Sequence, residues 1–166
     1  MEATKATADE LLDKGVDFYN KGEWDQAAEC WEMANEIYEG LGDKQGISNA
    51  LGNICVVCQD RGEWEQARKY YEKSLIIKEE LGDKQGISKT LNNLGTVYQH
   101  LGEWGRALNY YEKSLIIKEE LGDKQGILNA LGNIGAVRQD RGEWEQARKY
   151  YEKTLAISEE LGDKQG

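Results

Sequence analysis

One segment of six residues, Leu-Gly-Asp-Lys-Gln-Gly, occurs four times in this chain at a constant interval of 40 residues. A fixed period of this length is typical of repeat architectures, in which each unit buries its apolar face only by packing on its neighbours. The period predicts a single repeat domain over residues 1–166. Its parts are a divergent first repeat, three similar repeats and a stub of a fifth, at residues 1–40, 41–80, 81–120, 121–160 and 161–166.

Apolar residues within each unit follow the spacing of two amphipathic helices. In the second unit, Ile47, Leu51 and Ile54 mark a first helix, the A helix, over roughly residues 44–60. Trp64 and Ala67 lie on a second, the B helix, over roughly residues 63–81. Proline is absent and glycine is abundant, which suits uninterrupted helices that end at glycine. The sequence therefore predicts an all-α fold, a right-handed superhelical solenoid of antiparallel αα-hairpins.

The third unit supplies the clearest signature. Its sequence resembles the tetratricopeptide repeat family at Leu91, Leu94, Gly95, Tyr98, Gly102, Ala107, Tyr111 and Ser114. The other units match in register, with substitutions such as Cys55 for the small residue and Arg138 for the aromatic one. A closing proline is missing, and the unit exceeds the common length of about 34 residues, as in the longer repeats of kinesin light chains and spindle-orientation adaptors. The resemblance implies a scaffold for protein-protein interaction, without catalysis.

The charge balance excludes several classes of partner. Lys and Arg total 21 against 31 Asp and Glu, giving a formal net charge of -10. Such a chain lacks the basic field that gathers nucleic acid or anionic lipid, and no apolar run approaches the roughly 20 residues that span a bilayer. The N-terminus has no apolar signal segment, and three cysteines suit a reducing compartment. These features predict a cytoplasmic protein without nucleic-acid or membrane partners.

Motifs that could support chemistry have simpler interpretations. Cys55 and Cys58 have the spacing of a redox or zinc motif, but no second pair completes four ligands, so core packing is favoured. His100 is the only histidine, and the sequence places no nucleophile beside it. The repeated glycine-containing segment lacks the spacing of a phosphate-binding loop. We therefore expect no catalytic residue, no metal and no cofactor.

The resemblance places a binding groove on one face of the A helices. The polar residues expected there are Asn49, Asn53, Gln59, Lys89, Asn93, Gln99, His100, Asn129, Asn133 and Gln139. Asn53, Asn93 and Asn133 form a ladder at the repeat interval, and a primary amide can pair with both the N–H and the C=O of an extended peptide. In the related long-repeat adaptors, similarly placed asparagines hold peptide backbones. The alternative is that each asparagine only bridges neighbouring A helices.

Two functions remain open at this point. The first is an adaptor that binds an extended peptide in the groove, with a preference for basic peptides because of the acidic chain. The second is a structural spacer, or an engineered or excised repeat array, without a ligand of its own; the near-identity of the repeats favours it. In that case the apolar stripe of the last B helix, with Leu155 and Ile157, could stack head to tail on another copy, against Leu11, Leu12 and Phe18.

Overall fold

The computed structural model describes residues 3–165, without the side chains of residues 163 and 165. Its regular elements within that range are α-helices, and no strand occurs there. The helices form two compact units, Met1–Asp83 and Lys84–Gly166. The all-α fold of repeated helical hairpins predicted from the period is confirmed.

Unit 1 contains four helices in two consecutive hairpins. They are α1 (Lys5–Asn20), α2 (Trp24–Leu41), α3 (Lys44–Asp60) and α4 (Trp64–Leu81). Each packs on the next, so that α2 lies against both α1 and α3. The bounds predicted for α3 are confirmed, and those predicted for α4 agree to within one residue. Its core includes Ala34, Tyr38, Ala50 and Leu51.

Unit 2 repeats the same plan. Its helices are α5 (Lys84–His100), α6 (Trp104–Leu121), α7 (Lys124–Asp140) and α8 (Trp144–Gln165). Helix α6 packs on α5 and α7, and α8 packs on α7. The A helices of the two units are thus α1, α3, α5 and α7, and the B helices are α2, α4, α6 and α8.

The turns follow from glycine and aspartate. Gly42 and Gly62 have φ angles of 67° and 69°, in the left-handed region that glycine enters without steric cost. After the first of these turns, Asp43 accepts a hydrogen bond from the backbone N–H of Gly46 at 3.0 Å and begins α3. Asp123 does the same for Gly126 at 2.9 Å and begins α7. The repeated segment is therefore a helix end and a helix start in succession.

The final copy of that segment behaves differently. The sequence predicts that the last B helix ends near Leu161. Instead α8 continues through Gly162 to Gln165. Glycine can adopt both the helical and the left-handed backbone conformation. The turn at Gly42 is stabilised by hydrogen bonds to the end of α2 and by the cap at the start of α3. The segment alone does not force the turn.

Small residues under aromatic rings organise each A/B pair. A Cβ atom at Gly95 would lie 2.6 Å from the ring of Tyr111, and one at Gly15 would lie 2.3 Å from the indole of Trp31. Trp31 is buried. Tryptophans recur at the start of the B helices, and two of them, Trp104 and Trp144, are exposed. These two tryptophans lie at the surface, at the first residue of a B helix, and do not fill the core.

Candidate functional site

Unit 2 presents polar side chains from α5 and α7 on one A-helix face. Asn133 on α7 donates a hydrogen bond from its side-chain N–H to Oδ1 of Asn92 on α5, at 3.2 Å. Both residues are half-buried. The bridging role considered for the asparagine ladder is therefore present at Asn133. Its own oxygen still has acceptor capacity on this face.

Asn93, one residue further along α5, lies in a different situation. It is half-buried, and no hydrogen bond of its side chain to another residue is present within residues 3–165. The neighbouring repeats have glycine at the position of Asn92, at Gly52 and Gly132. An amide bridge of the Asn92 type is thus possible only where the repeats differ from one another.

The predicted glutamines are held by the tyrosine of the B helix. Gln99 Oε1 accepts a hydrogen bond from the hydroxyl of Tyr111 at 3.0 Å. The same bond joins Tyr71 to Gln59 at 2.6 Å and Tyr151 to Gln139 at 2.9 Å. Burial raises the pKa of Tyr111, so this hydroxyl stays protonated and donates. The glutamine oxygens are therefore occupied, and the side-chain N–H of Gln99 donates to Asp140 at 3.5 Å.

Three further predicted residues of unit 2 are exposed at the ends of this face. Lys89 and Asn129 lie in the N-terminal halves of α5 and α7, and His100 ends α5. Asn129 accepts a hydrogen bond from Gln125 of its own helix at 3.3 Å. These side chains are accessible to a partner, but none of them forms a hydrogen bond with Asn92 or Asn133.

The corresponding face of unit 1 is more acidic. Asn53 is half-buried on α3, and Asn49 accepts a hydrogen bond from Gln45 at 3.1 Å. On α1, however, Asp13 stands at the position of Asn53, and Tyr19 at the position of Gln59. The hydroxyl of Tyr19 donates to the carboxylate of Asp60. The ladder of amides is thus interrupted in unit 1 by a carboxylate.

The cysteine motif is part of the core. Cys30, Cys55 and Cys58 are free and buried. Burial raises the pKa of Cys58 to about 11 and raises that of Cys55 as well, so both remain thiols at neutral pH. Cys55 occupies the small-residue position that Gly95 holds beneath Tyr111. Within residues 3–165, no group of three or more His, Cys, Asp or Glu side chains is placed to hold a metal ion.

Sequence reasoning missed Lys118 of unit 2. Asn92, which forms the bridge to α7, lies on the A-helix face that the sequence predicts, at a position where the next repeat has Gly132. Lys118 belongs to α6, a B helix, yet it is buried and lies close enough to Lys89 of α5 and Asp123 to interact with their charges. In the first repeat the residue equivalent to Lys118 is the aromatic Tyr38, and this is the only indication in the sequence that the side chain of Lys118 is buried.

Stacked hairpins with a polar A-helix face define a class of helical repeat proteins built for surface recognition. The profile of one such family, the tetratricopeptide repeat, matches residues 7–80, 46–120 and 126–166. The chain belongs to the tetratricopeptide repeat family. A comparison with curated protein sequences finds no match.

Solved structures share the fold at low sequence identity. BtubC from P. vanneervenii superposes with a TM-score of 0.85 and 22% identity, over 93% of this chain and 64% of BtubC. Aspartyl phosphate phosphatase F from Bacillus subtilis gives 0.82 and 18%, over 98% and 43% of the two chains. The Rap conjugation gene regulator of plasmid pLS20, in complex with the Phr* peptide, gives 0.71 and 19%, over 97% and 44%. The chain thus spans less than two thirds of each of these proteins.

Within residues 3–165, no helix combines the length and the apolar character needed to cross a bilayer.

Proposed function

We propose that this chain is a non-enzymatic interaction scaffold that binds an extended peptide along its A-helix face, with the best-equipped site on α5 and α7 of unit 2. The observation that carries the proposal is the pair of half-buried amides at Asn93 and Asn133. The first has no partner among residues 3–165, and the second keeps acceptor capacity beyond its bond to Asn92. Together they supply a donor and acceptors for a peptide backbone.

The supporting framework is rigid. Tyr111 fixes Gln99, and Tyr151 fixes Gln139, each through a hydrogen bond from helix B to helix A. Side chains held in this way lose less conformational entropy on binding than free ones do. Amides bind backbone groups but do not serve as nucleophiles or general bases, so the face suits recognition and not catalysis.

The structural relatives support peptide binding only by analogy. One of them is described in complex with a peptide, and another is named as a phosphatase. At these identities the shared feature is the fold, so the proposal rests on the amide face of this chain. The net charge of -10 disfavours nucleic acid, and three buried free thiols support a cytoplasmic setting.

Head-to-tail self-association has weaker support. Helix α8 does leave apolar surface open, with Leu155 60% exposed. The face of α1 that would have to cover it presents Glu10, Lys14 and Asp17, where α7 has alanine, isoleucine and valine. Leu11 and Leu12 already pack on the core of unit 1. The polar outer face of α1 favours the peptide-binding scaffold over a stacked array.

Selection from a phage-displayed library of random 12-residue peptides, followed by calorimetry with the enriched sequences, tests the proposal. We expect Asn93→Ala combined with Asn133→Ala to weaken binding at least about tenfold, a change of ~1.4 kcal/mol. Asn109→Ala, the same change at an exposed position of α6, is the matched control and should alter affinity less than about twofold. Failure to enrich any peptide, or full affinity in the double variant, would instead support an array without a ligand.

A further inference from the structure

One side of α8 is open, although the same side of α6 is covered. Helix α6 lies between α5 and α7, and its Tyr111 is 1% exposed. The counterpart on α8, Tyr151, is 39% exposed, because no later helix covers α8 in the described part of the chain. Trp144 and Leu155 are also exposed and extend this apolar surface along the helix. A contiguous exposed surface of this kind marks an interaction site.

The open surface forms a shallow groove along α8 and the end of α7. Its walls include Gln139 of α7 and, on α8, Trp144, Arg148, Tyr151, Glu152 and Leu155. Tyr151 is held in place, because its hydroxyl donates a hydrogen bond to Gln139 at 2.9 Å and its ring packs over Gly135. The centre of the groove therefore needs little ordering when a partner docks.

Four residues form one stripe on this side of α8, namely Trp144, Arg148, Tyr151 and Leu155. Their separations are four, three and four residues, which is the spacing of a seam between two packed helices. The separations are the same when the stripe is followed in either direction. An antiparallel second copy of α8 therefore places Trp144 opposite Leu155 and Arg148 opposite Tyr151. Apolar side chains meet at both ends, and a guanidinium lies against an aromatic ring between them.

The charges beside the stripe select the antiparallel direction. Arg148 and Glu152 are exposed and pair with each other within α8 at 2.9 Å. When a two-fold axis passes beside residues 149 and 150, Arg148 of each copy lies near Glu152 of the other. In a parallel pair, by contrast, Arg148 would face Arg148 and Glu152 would face Glu152. Opposite charges favour the antiparallel arrangement, and like charges disfavour the parallel one.

We propose that two copies of this chain associate through α8 in a closed, antiparallel dimer. The same surface of each copy forms the interface, so every contact occurs twice about the two-fold axis. This arrangement needs no contribution from the charged outer face of α1, which disfavours a head-to-tail contact. It is also independent of the proposed peptide site, because Asn93 and Asn133 take no part in it.

Sedimentation equilibrium of the full chain at rising concentration tests the proposal. The mean mass should rise from that of one chain to that of two and then stay constant. Leu155→Glu buries a carboxylate against Trp144 in both halves of the interface, so it should weaken dimerisation at least about tenfold. Ile116→Glu makes the same kind of change on α6, at a residue that is 56% exposed against 60% for Leu155. This matched control should alter the dimerisation constant less than about twofold.

Charge reversal tests the direction of the two helices. Arg148→Glu alone, or Glu152→Arg alone, brings like charges together across the axis and should weaken dimerisation. The double variant restores opposite charges and should recover the parent's dimerisation constant. Circular dichroism should show the same helicity in all these variants, because each changes an exposed side chain.

Several results would overturn the dimer. They are a mass that remains that of one chain at the highest concentration, a mass that grows beyond two chains, and association that Leu155→Glu leaves unchanged. Loss of association in both single charge variants without recovery in the double variant would also contradict it, since the charges would then pair with residues outside α8. None of these results bears on peptide binding at Asn93 and Asn133.

Discussion

The side-chain amide of Asn133 donates to Oδ1 of Asn92 across α5 and α7, at 3.2 Å. Asn133 has an asparagine counterpart in the second and third repeats, at Asn53 and Asn93. Asn92 has none, because the second and fourth repeats have Gly52 and Gly132 at its position. The bond therefore exists because one repeat departs from its neighbours. It fixes the spacing of the two A helices at the centre of the proposed site.

This bond separates the structural role of the ladder from its binding role. Asn133→Ala should lower the free energy of unfolding by about 0.5–1.5 kcal/mol, because it removes a half-buried hydrogen bond. Asn93→Ala should change it by less than about 0.5 kcal/mol, since no such bond is lost. Urea denaturation of both variants provides the comparison. Equal destabilisation would mean that Asn93 also bridges helices and is not reserved for a ligand.

Two glycines of α3 should respond in opposite directions to the same change. A Cβ atom at Gly46 would lie 2.2 Å from the ring of Tyr38, which is buried and hydrogen-bonded to Asp9, so Gly46→Ala should cost on the order of 1–3 kcal/mol. Nothing lies within 4 Å of the same atom at Gly52, so Gly52→Ala should stabilise the helix by about 0.5–1 kcal/mol. Thermal melting of the pair is the measurement. A neutral Gly46→Ala would show that the ring of Tyr38 yields.

The cysteines should be protected by the fold. Because burial raises the pKa of Cys58 to about 11, the thiolate that reacts with iodoacetamide is scarce at pH 8. Labelling of the three buried thiols in the native chain should be at least about tenfold slower than in urea. Mass spectrometry follows the reaction, and the intact mass should correspond to reduced thiols without zinc. Rapid native labelling, or a bound metal, would contradict core packing.

Much of the fold could be predicted because the repeat interval states the same local rules several times. Aspartate favours the start of a helix and glycine favours the turn that follows one. In the structure, Asp43 caps the start of α3 and Gly62 lies in the turn after it. The path of α8 past Gly162 could not be predicted, because the turn also depends on the helix that follows it. The conformation of a repeated segment therefore depends on its neighbours, and the last copy differs from the earlier ones.

The candidate site was harder to predict than the fold. The positions of Asn93 and Asn133 on an A-helix face follow from helical spacing. Lys118 could not be placed in the same way, since a long side chain on a B helix is normally assigned to solvent. Its inward path depends on the missing side chain of Gly126, a three-dimensional relationship between two helices.

The buried charge of Lys118 should be visible in the pH dependence of stability. Its pKa in the folded chain lies below the usual 10.5, so the charged form opposes folding at all pH values below the folded pKa. That cost should disappear as the pH rises through the folded pKa toward 10.5. Lys118→Met should therefore be more stable than the parent near neutral pH, by about 1 kcal/mol, with a difference that shrinks at alkaline pH. A difference independent of pH would indicate a change in packing alone.

The central claim is that a peptide lies on the A-helix face of unit 2, and nuclear magnetic resonance of the isotope-labelled chain tests it most directly. Titration with the most enriched library peptide should shift the side-chain amide signals of Asn93 and Asn133, together with backbone signals of α5 and α7. The exposed Asn109 of α6 serves as the internal reference and should not move. Shifts confined to α6 and α8, with the signals of Asn93 and Asn133 unchanged, would contradict the account.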